Sequence, residues 1–268
     1  MKKITAAPII IVAMLVTATV RAETPDLKTQ TGFDLGLSLS SYKYEEPGLM
    51  SLEGGKIGVD MRIAKMFPSE WSIRGELRHA YGKLDYNGSG SASGNPDLYT
   101  EARFLVSRDW VINDAVLSPY TGGGYRYLYH DGRGISCTAT TCYWGYRRES
   151  NYLYWPVGLT LRSALNNQAR LVSTVEYDHL LQGKQVSHMS DGGYGHSDAT
   201  NTQKKGYGLK LSVNYEKDNW AIGPFVHYWN IDDSDIVPEI QNGTPTGWGL
   251  MEPKNNTVEI GFKGSRQF

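Results

Sequence analysis

From Phe33 onward the chain breaks into ten stretches in which apolar and polar residues alternate, and the connections between them are short and long in turn. Alternation with period two puts successive side chains on opposite faces of a strand. Each stretch therefore carries one oily face and one polar face. In the first, Phe33, Leu35, Leu37 and Leu39 oppose Asp34, Gly36, Ser38 and Ser40. In the second, Ile57, Val59, Met61 and Ile63 oppose Gly58, Asp60, Arg62 and Ala64. The third sets Trp71, Ile73, Leu77 and Tyr81 against Arg74, Glu76 and Arg78; the fourth sets Ala102, Phe104 and Val106 against Glu101 and Arg103. Trp155, Val157, Leu159 and Leu161 form the apolar face of the sixth. The seventh sets Leu171, Val175 and Tyr177 against Arg170, Thr174, Glu176 and Asp178. The eighth sets Tyr207, Leu209, Leu211 and Val213 against Gly208, Lys210, Ser212 and Asn214. In the tenth, Val258, Ile260, Phe262 and Phe268 oppose Glu259 and Lys263. The ninth, over residues 220–231, is ambiguous in phase. The fifth, from about Leu117, is interrupted by Gly122, Gly123 and Gly124, and glycines inside a strand mark a bend or a close backbone approach.

The connections sort by length. Residues 67–70, 108–116, 163–167 and 216–219 are short; residues 45–54, 83–97, 130–145, 183–202 and 232–253 are long. The leading MKKITAAPIIIVAMLVTATVRA has a basic start (Lys2, Lys3), an apolar stretch and a small-x-small site at Val20-Arg21-Ala22. It reads as a secretory signal over residues 1–22, to be removed before folding. Beyond it no uncharged apolar run reaches the ~18 residues that a membrane helix needs. Only helices and closed barrels satisfy every backbone polar group in lipid. The expected fold is therefore all-β: one domain over residues 23–268, a membrane-spanning antiparallel up-and-down barrel of about ten strands. Short periplasmic turns and five long outer loops fix its orientation in a bacterial outer membrane.

The signal contains three basic residues and no acid, so the mature chain carries 24 basic against 28 acidic residues, a net charge of −4. That balance gives no reason to expect nucleic acid as a partner. Cys137 and Cys142 lie five apart in one polar segment, and an exported protein lives where disulfides persist, so they are expected to form one bridge. Aromatic residues near strand ends, among them Tyr42, Tyr44, Trp71, Tyr81, Trp110, Tyr177 and Trp220, suit the girdles that settle at membrane–water boundaries.

The polar faces carry both signs: Arg74, Glu76, Arg78, Glu101, Arg103, Arg170, Glu176, Asp178, Lys210, Glu259 and Lys263. Barrels of about eight strands are filled by their own side chains, whereas sixteen leave a channel. Ten strands lie near the filled end. Buried charges are costly unless paired, so these residues are expected to form a lumen network; a narrow hydrated pore is the alternative.

Catalytic candidates are weak. Omptin proteases are also ten-stranded and need facing acidic and Asp–His groups at the outer rim. Here Asp178 and His179 are adjacent and point to opposite faces. His196 and Asp198 have the right spacing but sit in a glycine-rich loop. His188-Met189-Ser190 shows the His-x-Ser triplet of outer-membrane lipid A deacylases, which use it to activate a hydroxyl. His188, Asp191, His196 and Asp198, or Asp232, Asp233 and Asp235, could attract a cation; solvated loop charge is the simpler reading. No catalytic residue, metal or cofactor is assigned.

The segments SPYTGGGYRYL from Ser118, GYGLKLSVNY from Gly206, PFVHYWNIDDS from Pro224 and EPKNNTVEIGF from Glu252 resemble the small opacity-like and porin-like outer-membrane barrels of Gram-negative bacteria. The resemblance spans the mature chain. It implies outer-membrane lipid and lipopolysaccharide as surroundings, and the barrel-assembly machinery as a partner that reads a C-terminal aromatic, here Phe268. Gly264 and Arg266 depart from the apolar residues usual in that signal. The resulting expectation is a non-enzymatic, surface-exposed structural or binding protein with an extracellular ligand at its outer loops. A narrow porin-like channel is the second reading, and a rim hydrolase, omptin-like or deacylase-like, is the third.

Overall fold

The structure, a computed structural model, describes residues 26–165 and 169–268. The expected signal over residues 1–22 lies outside the described residues. In chain order the strands are β1 Gly32–Glu46, β2 Met50–Met66, β3 Trp71–Gly88, β4 Gly90–Arg108, β5 Trp110–Ile112, β6 Ala115–Cys137 and β7 Cys142–Ala164. They continue with β8 Ala169–Ser187, β9 Ala199–Gln203, β10 Gly206–Lys217, β11 Trp220–Ile231, β12 Ile236–Gln241, β13 Thr244–Met251 and β14 Asn255–Gln267. Neighbours hydrogen-bond in the order β10-β11-β14-β1-β2-β3-β4-β6-β7-β8, and β8 pairs with β10. That last pairing closes the sheet, so the fold is an antiparallel ten-stranded barrel. Closure leaves no unpaired edge to face lipid. β5 and β9 extend the wall at β6 and β8, and β12–β13 form a separate outer hairpin.

The period-two pattern maps onto the wall. Leu37, Leu39, Ile57, Ile63, Phe104, Ile222, Ile260 and Phe262 point out and are more than half exposed. An apolar belt of this kind on a closed barrel is stable only with hydrocarbon around it. The protein is an outer-membrane β-barrel. Aromatic rings at the ends of the belt include Trp71, Trp110 and Trp220, all exposed. Tyr42 and Tyr44 do not join them: both are buried on the lumen face, because even-numbered residues of β1 point inward.

β6 and β11, whose faces the sequence left open, are settled by their neighbours. Tyr120, Arg126, Leu128 and His130 of β6 and Phe225, Trp229 and Ile231 of β11 are buried within the barrel. On the glycine run, a Cβ at Gly122 would lie 1.9 Å from the Phe104 carbonyl oxygen. Close wall packing thus excludes a side chain there.

Three of the expected long loops are largely β-hairpin. β1 and β2 are joined by residues 47–49, β3 and β4 by Ser89, and β6 and β7 by residues 138–141. The strands rise past the belt, where the outer face meets water and the inner face of β1–β3 packs an apolar cluster of Tyr42, Tyr44, Leu52 and Leu84, so the lipid-side alternation does not continue. Cys137 and Cys142 face each other across the β6–β7 pair and are disulfide-bonded. The fourth and fifth loops are joined to each other: Ser197 N donates to the Ile240 carbonyl at 2.9 Å, and Asn242 N donates to the Gly195 carbonyl at 2.8 Å. At the periplasmic turns, the two residues between β10 and β11 include Asp218 at φ 52°, the left-handed conformation a tight hairpin demands. Phe268 pairs its backbone with Phe33, accepting at 3.2 Å and donating at 2.8 Å.

Candidate functional site

The interior is organised in layers, and each layer follows from which inward positions share a height. In the lower and middle barrel stand the charged residues of the polar faces. Arg78 donates to both oxygens of Glu259, at 3.0 and 2.7 Å. Arg74 Nε lies 2.7 Å from Glu76 Oε1. Arg103 donates to Glu76 at 3.0 Å through Nε and to Glu176 at 2.5 Å through Nη1. Lys210 Nζ lies 2.8 Å from Glu101, 3.3 Å from Glu176 and 3.5 Å from Asp178. Nearer the periplasm, Arg170 donates to Glu216 at 2.6 Å, and Lys263 lies 3.6 Å from Asp60. Each charged lumen residue named from the sequence thus faces an opposite charge. In a medium that screens poorly, such pairing is what makes ionised groups tolerable.

Above this layer an aromatic plug crosses the barrel. The Arg126 guanidinium lies 5.5 Å from the Tyr99 ring centre, 5.7 Å from Tyr152 and 4.9 Å from Trp229. Tyr154 meets Trp229 edge-on at 5.1 Å and donates its hydroxyl to Glu101 at 2.5 Å, tying plug to charge layer. Beside them, Lys56 Nζ sits 3.4 Å over the Tyr42 ring and 2.5 Å from Asp97 Oδ1. His130 Nδ1 lies 3.1 Å from the other Asp97 oxygen. Rings with polar handles fill the section, and the buried Arg126 guanidinium meets their faces rather than a carboxylate.

A cavity lies on either side of the plug. The periplasmic one, about 210 Å³, is lined by the charge layer together with Thr29 and Gln30. Residues 26–31 reach across its mouth: Thr29 donates to Asp109 at 2.6 Å through its backbone and 3.0 Å through its hydroxyl, and Arg170 donates to the Asp26 carbonyl at 2.6 Å. The outer cavity, about 510 Å³, is a cup walled by Met50, Tyr86, Trp144, Tyr146, Met189 and Leu250. Its floor holds Glu46, Arg148 and Glu252. Arg148 Nη2 donates to Glu46 Oε1 at 2.6 Å and also to Glu252 Oε1, and the Tyr44 hydroxyl, with a single proton to donate, is within hydrogen-bond distance of both, at 3.0 and 3.1 Å. Burial pushes the Glu252 carboxyl above the usual carboxylate range, against the opposing pull of Arg148.

The rim holds the remaining candidates, and the structure pairs them differently from their sequence spacing. Asp178 is buried in the lumen while His179 faces out. Asp198 pairs with His188, at 2.9 Å to Nδ1, rather than with His196, which lies 3.4 Å from Glu239. His188 Nε2 is taken by Glu149 at 2.8 Å. Ser190 donates its hydroxyl to Asp198 at 2.6 Å. Burial disfavours the imidazolium of His188, but the hydrogen bonds to Asp198 and Glu149 outweigh it and raise its pKa. Both ring nitrogens of His188 are thus occupied by carboxylates, at 2.9 and 2.8 Å. Asp191 is taken by Arg147 at 2.7 Å. Asp232, Asp233 and Asp235 go separate ways, to Lys254 Nζ at 3.3 Å, Lys254 N at 2.6 Å and Thr202 N at 2.6 Å.

Sequence reasoning missed Lys56, Asp97, Arg126, Tyr152, Tyr154, Trp229 and the cup floor. Parity offered a signal for two of them: once Trp155 and Val157 are outward, Tyr152 and Tyr154 are inward. Nothing local marks the cup floor, whose members come from β1 (Glu46), β7 (Arg148) and the connection between β13 and β14 (Glu252).

No family model and no curated protein matches this chain. Among solved structures, it is similar to the outer membrane protease OmpT from Escherichia coli, with a TM-score of 0.60 at 12% identity, covering 93% of this chain and 99% of that one. Weaker likenesses include an outer membrane channel from Pseudomonas putida F1 (TM-score 0.41, 7% identity, 92% and 100% covered). Another is Ail, the attachment invasion locus protein of Yersinia pestis (TM-score 0.31, 9% identity, 88% and 99% covered). At such identities what is shared is the architecture, and the chain has the fold of an outer-membrane β-barrel.

Proposed function

We propose that this barrel is a non-enzymatic, surface-exposed binding protein whose lumen conducts nothing. The plug built on Arg126, Tyr99, Tyr152 and Trp229 carries the reading, because it separates the outer cup from the periplasmic cavity. A second support is the joined fourth and fifth loops, which hold Tyr194, Ile236 and Trp248 in water, each more than two-thirds exposed. Large apolar side chains held out on an ordered outer platform suit contact with another molecule.

The test is solute permeation together with turnover. Folded protein in liposomes should give no swelling with small sugars. Incubation with lipopolysaccharide or with peptides should give no product. Swelling would favour the channel, and a product that disappears in His188→Ala would favour a rim hydrolase.

A further inference from the structure

We propose that the outer cup is a binding site for a small organic cation, an ammonium-bearing molecule with an apolar body, whose charge is met by Glu46 and Glu252. The inference rests on the binding reading above and names the ligand class for it.

The charge count at the floor carries the argument. Glu46 and Glu252, each more than nine-tenths buried, share one guanidinium, and they share it through the same Nη2 atom of Arg148. The other charged groups lining the cup are committed elsewhere. Arg133 is held by Asp131 at 2.6 Å, and His130 by Asp97, which Lys56 also holds. The floor is therefore one positive charge short. The raised pKa of Glu252 is the physical sign of that shortfall: with no second cation, burial favours its protonated form. An incoming ammonium supplies the missing charge and hydrogen-bond donors.

The walls match the rest of such a molecule. Tyr86, Trp144 and Tyr146 line the cup, and aromatic faces attract cations through their quadrupole while covering apolar surface. Met50, Met189 and Leu250 complete an apolar wall that can adjust to an irregular body. The volume, about 510 Å³, lies within the range of small-molecule sites. An anion would be repelled by the floor, and a neutral hydrocarbon would leave its shortfall unmet.

The probe is benzylammonium (protonated benzylamine), titrated calorimetrically into the full barrel in nanodiscs of zwitterionic lipid, with benzyl alcohol and benzoate as neutral and anionic counterparts. Saturable binding of the cation is expected, at least about tenfold tighter than either counterpart, one charge-assisted contact being worth that much. Glu252→Gln keeps the shape of the floor and should weaken binding about tenfold or more. Trp144→Leu alters a half-exposed wall residue outside the buried network, so it bears on the site even if Glu252→Gln does not fold; it should weaken binding about two- to fivefold. Absence of saturable binding, equal binding of benzoate, or binding unchanged in both variants would overturn the proposal. Permeation in liposomes is read separately: solute passage with intact cation binding would overturn the closed-lumen reading alone, and a tight barrel without cation binding would overturn this inference alone.

Discussion

The ring of Tyr154 lies where a side chain on Gly124 would be: a Cβ built at Gly124 would come within 2.1 Å of the Tyr154 ring. The two residues are register partners on β6 and β7. A glycine on one strand lets a tyrosine on the next lie flat against the wall and reach Glu101. The same device recurs one layer down, where a Cβ at Gly158 would come within 2.3 Å of the ring of Tyr120, its partner. Gly124→Val is expected to push Tyr154 off Trp229 and Glu101 at a cost of about 1–3 kcal/mol, the usual penalty for overpacking. Thermal unfolding of the folded, heat-modifiable form checks this. Gly123→Val, where a Cβ meets nothing, should leave the transition where it is.

Lys210 gathers three carboxylates, Glu101, Glu176 and Asp178. Lys210→Met removes the cation and strands the anions. Breaking a buried pair in this way costs about 3–5 kcal/mol. Lys43→Met, which loses a half-exposed contact to Glu53, should cost about 1 kcal/mol at most. Urea unfolding of the two variants side by side measures the contrast.

How much of this was legible follows from where lipid lies. Leu37 and Ile57 advertise their orientation because hydrocarbon enforces apolarity at every second residue. Above the belt that pressure ends: over residues 83–87 of β3 the alternation inverts, with Leu84 and Tyr86 inward and Lys83, Asp85 and Asn87 outward, and the end of β6 to Cys137 carries none. Tyr42 and Tyr44 look like girdle residues by type but follow the lumen parity of Ser38 and Ser40. The plug is harder still. Arg126 and Trp229 meet only because strand tilt brings β6 and β11 to one height across the lumen. The Arg78–Glu259 pair, 181 residues apart, depends on the same closure. Charge signs on inward faces could be read from the sequence; which charge meets which could not, because the stagger of a closing barrel is set by the whole sheet.

His188 binds the fourth loop to β7 through Asp198 and Glu149, so the attachment should depend on pH. The folded-state pKa of His188 is raised, so its contribution is full below the unfolded value near ~6.5 and is lost as pH rises through the folded value. For Asp198, burial is outweighed by hydrogen bonds from Ser190 and His188, and its pKa is lowered. Its contribution is full above the unfolded value near ~3.9 and is lost as pH falls through the folded one. Protection of the amides across residues 188–198, the exchange rate relative to an unfolded chain at the same pH, should be greatest at about pH 6 and fall on either side as His188 loses its proton or Asp198 gains one. His188→Gln should remove the fall in protection on the alkaline side.

The disulfide ties residues already paired across β6 and β7, well above the apolar belt. Reduction should loosen the tip of the third hairpin and leave the barrel folded. Gel mobility with and without reductant, on unheated samples, should show the same compact band; a shift to the unfolded position would contradict this.

The closed lumen is tested most directly by single-channel recording in planar bilayers. Folded wild-type protein should show no steady conductance at moderate voltage, whereas an Arg126→Ala, Trp229→Ala double variant, with two of the largest buried plug side chains removed, should show discrete openings. Steady, reproducible openings of the wild type would contradict the account.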